Sequence, residues 1–327
     1  MQYKVMVLLS SYNGEKYIRE QLDSILTQQG VEVTLLVRDD GSRDATPRIL
    51  REYAERCKNV IVLPEENARL AGGQRHVLPE ENVGCVSSFR KLLTEAYNYI
   101  DRVDYFAFAD QDDVWLPEKL KSGASILAGL RQEVPSMYCS NLTVTDENLN
   151  PYGLMHTSLQ VPDMKCRSLF YNIATGCTLL FNKRMVELFH THPPKFLKYH
   201  DAWIYQTCLF LGDVYYDMTP HILYRQHGNN VEGAHLSSLA KLRHKLKKLT
   251  NSAGHTSDEV ARELLEVYGK SGLLSSVDSK HIGILAEYKK SFRSRLRLLF
   301  PPKDSGLNRQ EAGYNLILKL RIIFGYL

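Results

Sequence analysis

Three short apolar runs, each stopping abruptly on a polar cluster, constrain this chain more than any other feature. Tyr3–Leu9 stops at Ser10-Ser11-Tyr12-Asn13-Gly14, Val33–Val37 at Asp39-Asp40-Gly41-Ser42, and Tyr105–Ala109 at Asp110-Gln111-Asp112-Asp113. Apolar runs of this length, bounded by turn residues, read as buried strands. Val60–Leu63 is a fourth. Between them lie stretches with helical spacing. These are residues 15–29, a segment from about Ala45 with Pro47 in its first turn, and Ser87–Ile100, where Phe89, Leu92, Leu93, Ala96, Tyr97 and Ile100 share one face. Strands alternating with helices predict βαβ units and a mostly parallel sheet flanked by helices, an α/β, Rossmann-like architecture.

Further along, Met137–Val144, Gly176–Phe181 and Val214–Met218 read as strands. Helices are expected up to about Gly129, over 184–191 and from His200. Residues 150–172 lack clear periodicity and are read as a cover for a substrate. Val62-Leu63-Pro64-Glu65-Glu66-Asn67 recurs as Val77-Leu78-Pro79-Glu80-Glu81-Asn82. A single repeat this short is a local duplication in a surface loop, not a solenoid, and no function is assigned to it.

The net charge of +4 hides an uneven division. Residues 235–327 hold 17 Lys+Arg and 8 Asp+Glu, whereas residues 1–234 hold 24 and 29. The organisation read from this is a catalytic domain over 1–232 and a basic, mainly helical region over 233–327. In that region Lys241–Leu249 and Ser291–Phe300 set leucines among cations, and Leu316–Leu327 is apolar with Lys319 and Arg321. Such pieces can lie on an anionic membrane surface; the other reading is helices packed together with a solvated basic face. No recognised nucleic-acid motif accompanies them, so nucleic acid is not an expected partner. The N-terminal apolar run is too short for a signal sequence, and no stretch nears the roughly 18 apolar residues of a membrane span. The expected location is the cytoplasm, with peripheral contact at the inner face of the cell membrane. Six scattered cysteines without a Cys-x-x-Cys pair read as reduced thiols rather than a zinc site.

In open α/β sheets ligands bind beyond the carboxyl ends of the strands, where the three polar clusters converge. There is no Gly-x-Gly-x-x-Gly after the first strand and no Gly-x-x-x-x-Gly-Lys-Ser/Thr loop. A nucleotide here must be read by side chains, and Asp39 or Asp40 can accept a hydrogen bond from a pyrimidine N–H. The plainer alternative for Asp39–Ser42 is a tight turn with a helix cap. Three carboxylates within Asp110–Asp113 are costly unless a positive group is held there. Their Asp-x-Asp pair offers hard oxygen ligands for Mg²⁺ or Mn²⁺, which in turn would hold a diphosphate. A solvated acidic turn is the plain reading of the same residues.

Read in order, Ser11-Tyr12-Asn13-Gly14, Tyr17-Ile18, Gln21-Leu22-Asp23-Ser24-Ile25-Leu26, Asp39-Asp40-Gly41-Ser42, Asp110-Gln111-Asp112-Asp113-Val114-Trp115, His200-Asp201 and Tyr224-Arg225-Gln226-His227-Gly228-Asn229-Asn230 resemble the inverting glycosyltransferases of family 2, with a GT-A fold. The Asp110-Gln111-Asp112-Asp113-Val114-Trp115 and Arg225-Gln226-His227-Gly228-Asn229-Asn230 versions resemble the bacterial branch that includes rhamnosyltransferases of surface-polysaccharide assembly. The resemblance implies a nucleotide sugar bound by Ser11, Tyr12, Asn13, Asp39, Asp40, Asp110 and Arg225. It implies a divalent cation, Mg²⁺ or Mn²⁺, on Asp112, Asp113 and His227, and Asp201 as general base. Trp115, Gly176, His200 and Trp203 would face the acceptor, although Ala202 interrupts the aromatic pair that relatives carry after His-Asp. The donor would be dTDP-rhamnose or a UDP-sugar, and the acceptor a saccharide or a lipid-linked saccharide. Taken singly, His227 also reads as a structural histidine, the tryptophans as core and Asp201 as a helix cap. Two competing functions are a non-catalytic sugar-nucleotide-binding subunit and a nucleotidyltransferase. The second calls for a glycine-rich loop with Arg and Lys, which Ser10–Gly14 lacks.

Overall fold

The computed structural model describes residues 2–63, 83–158, 165–227, 257–300, 319–323 and 325. Nearly all of the Val-Leu-Pro-Glu-Glu-Asn repeat, Gly228–Asn230, the basic stretch Lys241–Leu249 and half of Leu316–Leu327 lie outside the described residues.

The sheet is built on β1 (Tyr3–Ser11), whose Val5–Leu9 are fully buried. It pairs in parallel with β2 (Val31–Asp39) on one side and β4 (Tyr105–Ala109) on the other, and β3 (Val60–Val62) continues beyond β2. Three helices return the chain: α1 (Ile18–Leu26), α2 (Thr46–Arg56) and α3 (Cys85–Ala96). α3 buries Phe89, Leu92, Leu93 and Ala96 of the expected stripe, and it ends before Tyr97 and Ile100, which are half-buried in and after a 3₁₀ turn. The register sets Ser11 opposite Asp39 and Leu9 opposite Ala109. All three polar clusters therefore emerge at one edge of the sheet.

Beyond β4 the sheet is mixed. The remaining strands are β5 (Val114–Trp115), β6 (Ser136–Thr145), β7 (Pro151–Leu154), β8 (Leu180–Asn182) and β9 (Asp213–Arg225), and the order is β3-β2-β1-β4-β8-β6-β9-β5 with β7 on β6. β8 runs antiparallel to both neighbours, β5 is antiparallel to β9, and β6 and β9 are parallel. The parallel pattern expected from the βαβ units holds for β3-β2-β1-β4 and gives way after it. Three local expectations also change. Gly176–Thr178 is a 3₁₀ turn, because the Thr178 N–H and hydroxyl both bond the Thr175 carbonyl, and the strand begins only at Leu180. β9 runs well past Met218, and register shifts opposite Ser140–Thr143 accommodate Pro220 within it. Part of the aperiodic 150–172 region is β7, an exposed strand on β6.

The chain divides into two compact units. The first comprises Met1–Leu159, Ala174–Thr191 and Gly212–Asn230, and it includes α4 (Lys119–Ala128) and α5 (Lys183–Thr191). The second comprises Gln160–Ile173, His192–Leu211 and Val231–Leu327, with α6 (His200–Leu211), α7 (Ser257–Leu264), α8 (Ser276–Ala286) and α9 (Phe292–Leu299). Its core holds Val260, Leu264, Tyr268, Ile282 and Leu285. Buried Asp258 is paired with Lys289 at 2.8 Å and Arg262 at 3.0 Å, as a buried carboxylate requires. Ser275 and Ser291 cap α8 and α9 by accepting from the N–H of Asp278 and Ser294. Among the described residues no helix is long and apolar enough to cross a membrane. All six cysteines are thiols, and Cys139, Cys166, Cys177 and Cys208 are buried.

Candidate active site

The loops after β1, β2 and β4 form one hydrogen-bonded network. Asp39 accepts from the Ser11 hydroxyl at 2.9 Å, the Ser42 hydroxyl at 2.6 Å and the Ser42 N–H at 2.9 Å. The Ser42 hydroxyl in turn accepts from the N–H of Asn13, and the Asn13 side-chain oxygen accepts from Arg43, both at 2.8 Å. Asn13 sits at φ +49°, a region asparagine tolerates better than most residues. Gln111 and Tyr12 exchange two bonds, Tyr12 N–H to Oε1 at 2.8 Å and Nε2–H to the Tyr12 carbonyl at 3.0 Å. They lock the β1 loop to the acidic loop. A Cβ on Gly14 would meet that same Gln111 side chain, so a larger residue there would push Gln111 out of its exchange with Tyr12.

Asp40 behaves differently from Asp39. It is 2% exposed and pairs with buried Arg38 at 2.6 Å. It also accepts from the N–H groups of Val83 at 3.1 Å and Gly84 at 2.9 Å, just ahead of α3. Asp39 is only partly buried. One carboxylate of the pair lies at the surface of the loop network and the other clamps a helix to the sheet.

The acidic cluster is closed from above by the end of β9. The β5–β9 pairing sets Val114 opposite Leu223 and so brings Arg225 and His227 over Asp110–Asp113. Arg225 is buried. Its Nε–H donates to the Asp112 carbonyl at 2.9 Å and its backbone N–H to Asp113 Oδ1 at 3.2 Å, and its guanidinium also bonds the Glu147 carbonyl and the Glu20 carboxylate. The same guanidinium lies over the Tyr17 ring, 4.5 Å from its centroid, and that ring stacks on His227 at 4.9 Å. His227 Nε2 reaches Asp112 Oδ2 at 2.8 Å. Among the described residues the group that gathers three ligand atoms within 4.8 Å of one another is Asp110, Asp113 and Cys177, not the expected Asp112, Asp113 and His227.

Asp110 and Asp112 are partly buried, and Asp113 is fully buried. Burial pushes the Asp113 carboxyl well above the usual carboxylate range, and the charges of Asp112 and Asp110 add to it. Burial likewise raises the Cys177 thiol, reinforced by Asp113 and Asp110. Behind them lies Lys119, also fully buried, with Nζ 3.6 Å from the centroid of Trp115. Burial lowers its pKa to about 7, against the opposing pull of Cys177 and Asp113.

In the second unit Asp201 stands in the first turn of α6. Its Oδ1 accepts from the Ala202 N–H at 2.6 Å and its Oδ2 from Asn172 Nδ2 at 3.1 Å. His200 is buried, which lowers its pKa to about 3, so its imidazole is neutral. A cleft lined by Tyr171, Asn172, Lys198, Tyr199, Trp203 and Gln206 opens in this unit. Trp203 and Trp115 are each nearly fully buried, Trp203 with its ring 5.6 Å from Tyr268, and Gly176 is buried in its 3₁₀ turn. Core packing accounts for the burial of both tryptophans.

The structure adds residues that the sequence did not single out as site residues: Tyr17, Glu20, Gln111, Lys119, Glu147 and Asn172. Tyr17 and Gln111 lie inside the motifs Tyr17-Ile18 and Asp110–Asp113, and that position is their signal in the sequence. Lys119 shares a helical face with buried Gly123 and Leu127, a place where a lysine is out of keeping. Glu20, Glu147 and Asn172 carry no comparable signal.

Residues 6–193 match the family model described as glycosyl transferase family 2. The dTDP-rhamnosyl transferase RfbG of Shigella flexneri is 28% identical over 243 residues, covering 71% of this chain and 76% of that protein. The uncharacterized glycosyltransferase RT0329 of Rickettsia typhi is 25% identical over 242 residues, covering 72% and 68%. Among solved structures, residues 1–349 of S. aureus TarS in complex with UDP-GlcNAc superpose with a TM-score of 0.50 at 16% identity, covering 99% of this chain and 91% of that one. At that identity the likeness speaks for the fold alone. The family match spans more than half of the chain and includes its β1, β2 and β4 clusters; with the GT-A sheet beneath them, the chain belongs to glycosyl transferase family 2 and is a glycosyltransferase.

Proposed function

We propose that this glycosyltransferase inverts the anomeric centre of a pyrimidine nucleoside diphosphate sugar, dTDP-rhamnose or a UDP-sugar. The acceptor is a saccharide or lipid-linked saccharide of bacterial surface-polysaccharide synthesis, and the machinery lies within residues 1–232. The observation that carries this reading is the closure of Arg225 and His227 on Asp110–Asp113, at the edge where an open sheet takes its ligand. The name of the S. flexneri relative favours the thymidine-linked donor.

In this reading Ser11, Tyr12, Asn13 and Asp39 receive the nucleoside. Asp39 uses three acceptor positions on the loop network, and a carboxylate has about four, which leaves one for a pyrimidine N–H. Asp40, buried beneath, holds the loop in place. Asp110 meets the ribose or donor sugar. The site also suits a divalent cation. Asp112 Oδ2 and His227 Nε2 share a hydrogen bond of 2.8 Å, so a carboxylate oxygen and an imidazole nitrogen, both ligand types for such an ion, already stand together. Asp112 and His227 would hold Mg²⁺ or Mn²⁺, whereas Asp113, the third expected ligand, is gathered with Asp110 and Cys177 instead. When bound, such a cation neutralises the charge that develops on the departing diphosphate.

Arg225, tied to Glu20, Glu147 and Asp112, keeps the two halves of the site in register and adds positive potential. Asp201 takes the proton from the acceptor hydroxyl as it attacks. A single displacement inverts the centre, so no carboxylate nucleophile is required. Asn172 and the Ala202 N–H orient the Asp201 carboxylate, and the start of α6 stabilises its charge.

The test is a calorimetric titration of the whole chain with UDP-, dTDP- and GDP-sugars in Mn²⁺, Mg²⁺ or EDTA. Metal-dependent binding of one pyrimidine nucleotide sugar is expected. Binding that is indifferent to EDTA removes the cation from the reading, and preference for a GDP-sugar removes the pyrimidine donor.

A further inference from the structure

One surface is not used by any step of the transfer reaction. In α9, Ser294 and Leu298 face inward and are buried. On the other side Phe292 is 75% exposed and Leu296 41%, and Phe300, the next residue after the helix, is 74% exposed. The three lie four residues apart, so they form one stripe along a helix. Two exposed phenylalanines and a leucine in line are costly in water and are not needed to cover the core of this unit. Arg293 and Arg297 lie on one flank of the stripe and Arg295 on the other. Lys319 adds a further cation, with Nζ 5.7 Å from the centroid of the Phe300 ring. No acidic residue occurs between Lys289 and Phe300.

We propose that α9 is a membrane-contacting element. Phe292, Leu296 and Phe300 enter the boundary between headgroups and acyl chains of an anionic bilayer, and exposed Arg293 and Arg297 meet its phosphates. The charge decides the occupant. An apolar stripe for a second copy of this chain would need acidic residues in the partner surface, and α9 offers only cations to itself. An anionic headgroup layer supplies both the apolar depth and the negative charge. The arginine fork matches a phosphate bidentately, which a lysine does not. This proposal stands apart from the transfer reaction and would hold for any activity of the first unit.

The experiment sediments the full chain with vesicles of phosphatidylcholine alone and with vesicles of equal parts phosphatidylcholine and phosphatidylglycerol. The chain is expected to prefer the anionic vesicles, and the preference should fall as salt shortens the screening length to about 3 Å at 1 M. The double variant Phe292→Ser/Phe300→Ser should lose about ten-fold or more in partitioning, the equivalent of withdrawing exposed aromatic area from the lipid. Its melting temperature should be unchanged, because both side chains are exposed in the folded chain. Arg293→Glu/Arg297→Glu should bind neutral and anionic vesicles alike. Wild-type chain that fails to sediment, or that sediments no better than either variant, overturns the proposal. So does a wild-type dimer that the phenylalanine variant converts to monomer, since the stripe would then be covered by a second copy.

Discussion

Lys119 is where residue chemistry and sequence pattern part most sharply. A lysine near the start of a helix reads as solvated, yet α4 turns this one inward onto Trp115. Its pKa of about 7 lies below the ordinary 10.5. Between those values the unfolded chain binds the proton that the folded chain has released, so stability rises with pH across that window. Below pH 7 the buried cation exerts its full cost, offset in part by the Trp115 ring. Lys119→Met should therefore stabilise the protein by about 1–4 kcal/mol at low pH, the usual gain when a buried charge becomes a packed apolar chain. The gain should shrink towards about pH 10, and denaturant midpoints at both ends of the window measure it. The acidic cluster was legible for the opposite reason: carboxylates directly after a fully apolar strand have few explanations. Asp201 is legible only through the His-Asp pair. Asp201→Asn should abolish turnover while sugar-nucleotide binding by calorimetry stays within about two-fold, since an amide keeps the shape and loses the base. Loss of binding as well would make Asp201 structural.

At the scale of elements, β1 to β4 and the helices between them follow from periodicity because each buries a continuous apolar run. The elements that escaped are those whose partners override local preference. β9 contains Pro220 and is held by its long pairing with β6, and β8 is three residues long and survives only between β4 and β6. The joint between β2 and α3 was half visible, as Asp39-Asp40 without its partners. Arg38 is buried and its charge is answered by Asp40, which also accepts from the N–H groups ahead of α3. Asp40→Ala should cost about 3–5 kcal/mol, because it strands a buried guanidinium. Asp39→Ala removes bonds at a partly exposed site and should cost about 1–3 kcal/mol, with its larger effect on donor affinity. Thermal melts and calorimetry on the two variants separate the helix clamp from the nucleoside contact. Equal melting temperatures would refute this division of roles.

For the whole molecule, charge and composition place a break near residue 232, and contacts draw a different line. Residues 160–173 and 192–211 belong with the C-terminal helices, so the second unit is assembled from three separate stretches. No local pattern announces this, because it depends on long-range packing: Thr207 against Tyr268, Lys195 against Glu263 and Lys165 against Asp278. The division has a measurable consequence for ligand binding. A donor and cation that bind only folded protein stabilise it by about 2.7 kcal/mol at a concentration one hundred times Kd. That stabilisation is not spread evenly if the nucleotide sits in the loops after β1, β2 and β4. Hydrogen exchange on the full chain with Mn²⁺ and the bound pyrimidine nucleotide sugar should slow most at residues 11–14, 39–42, 110–113 and 225–227. Protection within α7 and α8 should change little, because those helices are held by their own core. Asp112→Asn should remove the slowing at 110–113 and 225–227 together, since Asp112 is the link between the acidic loop and His227. Slowing confined to the second unit would move the donor away from the acidic cluster, and the proposed roles of Asp39, Asp110 and Asp112 would fall with it.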